Sequence, residues 1–294
     1  MTYEPRVEGR VLIDSSVVLS HYQVNSLLLA RDRKQKFVFG SLDLGISNVE
    51  LELSSNFVQL PDKQRLDWSQ LLEIVDNELS CYAVRDNQIE KIHYFSQMFN
   101  RYYSLMPTRR APTMLISGIP MHRIKDTDPH QDTFSKIKAI VPFSGQVLDT
   151  TMGLGYTAVE AANTAEHVTT IELDPTVEAV CRANPWSKKL FDNSRITRLT
   201  GDSSELIREF SDGAFARIIH DPPTFNLAGE LYSLEFYGHL LRVLQTSGRI
   251  FHYVGNPASR SGRGVTRGVV RRLQEAGFSR VKPYPSAFGV VAYK

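Results

Sequence analysis

The chain has 294 residues, 42% of them hydrophobic and 22% charged, and a net charge of +2. That describes one large or two ordinary soluble globular domains with length enough for a buried core, and a charge too weak either to demand or to exclude nucleic acid. No apolar run approaches the ~18 residues of a membrane span, and the two cysteines, Cys81 and Cys181, have no metal-ligand spacing and fit a reducing, cytoplasmic compartment.

Taken in chain order, the N-terminal stretch "MTYEPRVEGR" has no apolar signal-peptide core. "SVVLSHYQVNSLLLA" (16–30) is ambiguous and leans to helix. "KFVFGSLDL" (36–44) and "VELEL" (49–53) alternate as strands do. "DWSQLLEIVDNEL" (67–79) carries Leu71, Leu72, Ile74, Val75 and Leu79 at helical spacing. "CYAVRDNQIEKIHYF" (81–95) reads as two strands around an Asp-Asn turn. Together these predict a small α+β domain over residues 1–115. There is no internal repeat and no low-complexity tract.

From Gln146 onward strand-like runs ("QVLDT", "HVTTIEL", "RITRLT", "ARIIH", "GRIFHYVG", "GVVAY") alternate with helix-like ones ("TAVEAANTA", "PTVEAVCRANPW", "SSELIREF", "LYSLEFYGHLLRVLQ", "TRGVVRRLQEAGF"). Alternation of this kind predicts an α/β fold, a parallel sheet covered by helices on both faces, with ligands beyond the carboxyl ends of its strands. Gly277 is the expected C-terminal cap of the last helix.

The chemistry-bearing residues recur at those strand ends. The first strand ends in Asp149, and Gly153 and Gly155 follow in "TTMGLGYTA", where glycine lets backbone approach a ligand or simply turns the chain. The second ends in Glu172, placed to accept both ribose hydroxyls of a nucleoside or to serve as a surface or capping acid. Asp174-Pro175 reads as a helix start. The third ends in Asp202, a possible acceptor for an adenine amino group and equally a helix cap with Glu205 closing a capping box; the roles are compatible. The fourth ends in His220-Asp221-Pro222-Pro223. Each residue is weak evidence alone, whereas four successive strand ends on one sheet edge are not.

Asp149, Gly153, Gly155, Glu172, Asp202 and Asp221-Pro222-Pro223 together resemble the motifs of class I S-adenosylmethionine-dependent methyltransferases, over Gln146–Lys294. Thr151 stands where many members carry a glycine, and "GVVAYK" resembles their antiparallel last strand. A closer resemblance, carried by "ISGIPMHR", "DPHQDT", "GLGYTA", "NPWS", "HDPP", "AGELYS", "EFY" and "HYVGNP", is to predicted archaeal-type methyltransferases described as similar to spermine synthase. The resemblance implies a Rossmann-like domain over 116–294, with a mostly parallel seven-stranded sheet and S-adenosyl-L-methionine as cofactor. It implies that Asp132 and Thr133, ahead of the first motif, cover the cofactor's methionine end; the alternative is a solvated connection. Asp221 and the Pro222 carbonyl would accept N–H bonds from an acceptor amine, with Pro222 and Pro223 fixing the backbone.

In that family an aromatic follows the second proline and stacks on a planar substrate. Here Thr224 takes that position and Phe225 comes one residue late, so a non-planar amine is an alternative to a base. Tyr232, Tyr253 and Asn256 are candidate substrate-pocket residues, or packing ones. His220 reads as a strand-end core histidine. Arg260 and Arg263, in a Gly/Ser-rich loop, are candidates to clamp a phosphate or carboxylate; Arg267, Arg271 and Arg272 read as a solvated helix face. The expected acceptor is a nitrogen of RNA or of a small amine. The alternatives are an aminopropyltransferase, whose acid-lined site the arginine-rich loop speaks against, and a non-catalytic nucleotide-binding module, which would have no need of Glu172 or Asp221. No metal, membrane or defined oligomer is implied.

Overall fold

The alternation from Gln146 onward is realised as one sheet. The structure, a computed structural model, describes residues 17–61, 63–225 and 227–294. The stretch tested above for a leader lies outside the described residues, as does Ser16. The chain divides into two compact units: residues 1–130 with 175–188, and residues 131–174 with 189–294.

In the second unit, helix α1 (Pro129–Lys138, its residues from Gln131 on lying here) precedes strand β1 (Gln146–Asp149) and helix α2 (Tyr156–Ala161). Strand β2 (His167–Glu172), strand β3 (Ile196–Thr200), helix α3 (Ser203–Leu206) and strand β4 (Phe215–His220) follow. Helix α4 (Leu234–Val243), strand β5 (Leu244–Tyr253), helix α5 (Arg260–Glu275) and strands β6 (Arg280–Tyr284) and β7 (Gly289–Tyr293) complete it. The order is β3-β2-β1-β4-β5-β7-β6. Neighbours from β3 to β5 are parallel, and β7 runs antiparallel to both β5 and β6. This is the Rossmann-like methyltransferase fold. The sheet reverses its order between β1 and β4, so Asp149 and His220-Asp221 end adjacent strands at the point where such sheets bind ligands.

β4 is buried along its whole length, as expected for a strand covered on both faces. The core gathers Leu148, Ile218, Tyr237, Leu240, Ile250 and Val290. β6 contains Pro283 and sits at the sheet edge, the place where a missing ladder donor costs least. α5 starts at Arg260 under the Ser259 cap, whose hydroxyl accepts from Gly262 N at 2.9 Å. Arg260 and Arg263 are therefore helical, not in a loop as the glycines suggested. Gly277 ends the helix at φ 104°, with its N–H on the Gln274 carbonyl.

Gly155 caps α2 at φ 74°, and a Cβ there would lie 2.6 Å from Leu190 Cδ2. Gly155→Ala is expected to lose ~1–2 kcal/mol of unfolding free energy through the left-handed backbone alone, read by urea titration, and a bulkier residue more.

In the first unit, helices His21–Asp32 and Trp68–Val75 pack with strands Phe37–Gly40 and Val49–Leu53 around Leu27, Leu51, Leu66 and Ile74. The 16–30 segment thus contributes a two-residue strand, Val18–Leu19, and then the helix. The Asp-Asn turn is present, with Asp86 at φ 50° and Asn87 at φ 61° between Tyr82–Arg85 and Gln88–Lys91. Residue 115 lies inside strand Thr113–Ile116, which pairs with Arg101–Met106. The Pro175–Arg182 helix and the "NPWS" turn also belong to this unit, where Trp186 Nε1 donates to the Leu44 carbonyl at 3.1 Å.

Candidate active site

The loop after β1 is organised by two acids. Asp149 is fully buried; its Oδ2 accepts from Thr157 Oγ1 at 3.1 Å and Thr170 Oγ1 at 3.0 Å. Burial pushes its carboxyl up to about 7 against those hydrogen bonds. Asp149 is thus placed inside the loop as an anchor between β1, β2 and α2. Glu172, half-buried at the end of β2, accepts from Gly153 N at 3.0 Å and from Asp174 N at 3.1 Å, one on each oxygen. Burial raises it to about 7 as well. Each of its oxygens keeps further acceptor capacity, which suits two hydroxyl donors on one ribose. Gly153 (φ 51°) brings its backbone N–H directly to that carboxylate, a backbone conformation favouring glycine.

Asp202 caps α3, accepting from Ser204 N and Ser204 Oγ, both at 2.7 Å. Among the described residues Glu205 supplies no reciprocal bond, so the cap is simple and not a box. Glu172, Asp202 and the Gly153–Gly155 loop thus follow the ends of three parallel neighbouring strands, along one edge of the sheet.

A second cluster forms around Asp221. Its Oδ2 lies 2.6 Å from Lys136 Nζ, and Lys136 also lies 2.8 Å from Asp132 Oδ2, one helical turn earlier on α1. The side chains of Lys136 and Asp132 are 4% and 0% exposed, that of Asp221 20%. The Lys136 ammonium stands 4.7 Å from the centroid of the Tyr253 ring. Burial opposes charge on Lys136, but Asp221 and Asp132 outweigh it and hold its pKa above the ordinary value. Burial raises the Asp221 carboxyl, Lys136 pulls it back, and Asp132 adds a repulsive push. Among the described residues, Asp221 Oδ1 and the Pro222 carbonyl accept nothing.

Asp132 and Thr133 are buried in α1, whereas residues 121–128 ahead of the helix are exposed or partly exposed. Lys136 was not among the residues singled out from sequence; the available signal was its spacing from Asp132, four positions on. Tyr232 is buried and donates from its hydroxyl to the Pro223 carbonyl at 2.9 Å, holding the loop after Asp221. Phe225, 47% exposed, stands edge-on to Tyr232 at 5.5 Å, and Thr224 is exposed beside it. Arg272 Nε donates to the Tyr232 carbonyl at 2.8 Å. Arg272 therefore braces this turn and is not part of a solvated face.

Asn256 accepts from Ala258 N and shapes the entry to α5, and Arg263 donates to the Ala258 carbonyl at 2.7 Å. Arg260 is exposed, and among the described residues neither arginine contacts the Asp221 cluster. His220 is fully buried, with Nδ1 2.7 Å from Thr150 Oγ1 and Nε2 2.9 Å from the Leu231 carbonyl. A carbonyl only accepts, so Nε2 carries the proton. Burial lowers the imidazole pKa to about 3, which makes it a neutral core residue.

Tyr232→Phe is expected to remove one hydrogen bond worth ~1 kcal/mol. A fall of that size in the unfolding free energy, read by urea titration, checks it.

An α/β sheet of this order, with an acid on the second strand, a glycine loop after the first and Asp-Pro-Pro after the fourth, defines a Rossmann-like fold of the class I methyltransferase type. No protein-family profile matches the chain. It is 45% identical over 226 residues to uncharacterized protein MJ1233 of Methanocaldococcus jannaschii, covering 76% of this chain and 77% of that one. The chain belongs to the family of that protein. It is also 34% identical over 111 residues to polyamine aminopropyltransferase 1 of Streptomyces coelicolor, covering 36% of this chain and 21% of that protein.

Among solved structures, a spermidine synthase from Thermotoga maritima matches with a TM-score of 0.53 at 19% identity, over 70% of this chain and 73% of that one. A spermidine synthase in complex with the transition state analogue AdoDATO matches with a TM-score of 0.57 at 15% identity, over 97% and 82%. These two share the fold. Among the described residues, no helix is long and apolar enough to cross a membrane.

Proposed function

We propose that the protein is an S-adenosylmethionine-dependent methyltransferase acting on a nitrogen. One observation carries the reading. Asp221 Oδ1 and the Pro222 carbonyl are two open acceptors at the end of β4, beside the strand ends that carry Gly153, Gly155 and Glu172. The donor supplies a methyl group on a sulfonium, poised for in-line displacement. Glu172 and Asp202 bind its adenosine. Asp221 and Pro222 orient the acceptor nitrogen by its N–H bonds, so that its lone pair points at the incoming carbon.

The cluster around Asp221 holds Asp132 and Lys136, so two carboxylates face one ammonium. The residual charge is negative and favours a small amine, cationic in water, over an anionic RNA; the amine attacks in its neutral form after giving a proton to solvent, and the C–S bond breaks as the N–C bond forms, releasing S-adenosylhomocysteine. The exposed Phe225, turned edge-on to Tyr232, supports the same choice over a stacked base.

The second reading is an aminopropyltransferase, favoured by the local similarity to polyamine aminopropyltransferase 1 and by the acidic cluster. Labelled S-adenosylmethionine and its decarboxylated form, offered in parallel with RNA, polyamines and small amines, separate the readings. Label passing from S-adenosylmethionine to an amine or to RNA supports methyl transfer and identifies the acceptor. Label reaching polyamines only from the decarboxylated donor overturns it in favour of the second. Tight donor binding without any turnover would leave a nucleotide-binding module.

A further inference from the structure

We infer that Lys136 is a positioning residue for the acceptor site: its ammonium clamps Oδ2 of Asp221, and so presents Oδ1 to the acceptor and keeps the carboxyl in its accepting form. The inference rests on the reading of Asp221 as the acceptor-binding group.

Three observations support it. The ammonium is buried and lies 2.8 Å from Asp132, 2.6 Å from Asp221 and 4.7 Å from the centroid of the Tyr253 ring. Only one oxygen of Asp221 is used, so the carboxylate is held from one side and open on the other. The groups facing Asp221 are otherwise acidic or neutral: Asp132 from α1, Asp149 from β1 and Tyr232 from the Gly229–Tyr232 turn, with Tyr253 of β5 against Lys136.

A buried ion pair is weak evidence of a stabilising role, because apolar residues of similar volume often serve as well. Geometry at a reacting group is the stronger reason for its presence. Without Lys136, Asp221 would face two other carboxyl groups with no cation, and like charges in one site drive a carboxyl to hold its proton. A protonated Asp221 keeps a hydroxyl where the acceptor N–H requires a lone pair.

The test is a ¹³C-carboxyl titration of Asp221 in the full-length protein, its signal assigned with Asp221→Asn, alongside kinetics. In Lys136→Met the Asp221 midpoint is expected to rise by at least one pH unit, a tenfold change in proton affinity. The pH profile of kcat should move to higher pH with donor KM unchanged, and Lys136→Arg should keep both near wild type. An unchanged midpoint and unchanged pH profile in a folded Lys136→Met protein overturn the clamp.

Asp132→Asn gives a second reading if the methionine variant does not fold. With Asp132 neutral, Lys136 serves Asp221 alone, and the Asp221 midpoint should fall; an unchanged midpoint overturns the inference. A protein that passes methyl from S-adenosylmethionine to neither an amine nor RNA defeats the functional proposal, while the titration still reads the clamp.

Discussion

Asp221→Ala is expected to lower kcat for group transfer by ~10²-fold or more, the cost of a misplaced reacting group. Donor affinity should stay within a few-fold of wild type. Asp221 bonds only Lys136 among the described residues, and Glu172 and Asp202 have their own partners on Gly153, Asp174 and Ser204. The fold should survive the change. Lys136 retains Asp132 at 2.8 Å, and Asp221 is 20% exposed, so the loss lies below the ~3–5 kcal/mol of breaking a wholly buried pair. Asp221→Asn keeps one carbonyl acceptor and should fall between the two. Single-turnover kinetics paired with donor calorimetry checks this, and a fully active alanine variant would remove Asp221 from the mechanism.

The second large effect belongs to Glu172. Glu172→Ala is expected to weaken donor binding by ~10- to 100-fold, since a hydrogen bond to a charged group is worth ~1.5–3 kcal/mol. The change also leaves the Gly153 and Asp174 N–H groups without their acceptor. The loop that carries the glycines would lose one of its ties to β2, keeping the Met152 N–H on the Ile171 carbonyl at 2.7 Å.

The same residue sets a pH dependence. Burial raises Glu172 from 4.5 to about 7, so its carboxylate form is lost as the pH falls through 7. Donor affinity should weaken over that interval, by no more than tenfold per pH unit for one proton. For folding the sense is reversed. The native state holds this proton more tightly than the unfolded chain, so the contribution is present below about 4.5 and is lost as the pH rises through about 7. Calorimetric titrations of wild type and Glu172→Ala across pH 6–8, about 1 unit each side of that value, should differ in slope, and parallel slopes would place the pH dependence elsewhere.

Much of the site could be read from sequence, because strand ends announce themselves. An apolar run that stops at an acid and is followed by Gly or Pro marks a carboxyl end whatever the rest of the chain does. Asp149, Glu172, Asp202 and Asp221 were legible in that way. Asp202 also shows that two readings of one residue need not compete, since an acid capping α3 still lies on the ligand edge.

Other features escaped for definable reasons. β6 was hidden by Pro283, which an edge strand tolerates and a central one does not. The start of α5 was hidden by Gly262 and Gly264, which read as a loop. The Ser259 hydroxyl overrides that signal by satisfying the Gly262 N–H. Arg272 read as part of a solvated face until its guanidinium was seen on the Tyr232 carbonyl.

The sequence by itself determined the alternating α/β pattern, the order of the acids and the loop chemistry after each strand, because these are local matters of periodicity, turn residues and caps. The folded chain separates the acids that stand at the sheet edge from those sealed in the core. Asp149 and Glu172 look alike as strand-end acids, yet one is sealed among threonine hydroxyls and the other stands half-buried at the edge. It alone brought Lys136 to Asp221 across 85 residues of chain. No local pattern encodes that pairing, because it exists only once a helix ahead of the first strand is laid against the end of the fourth.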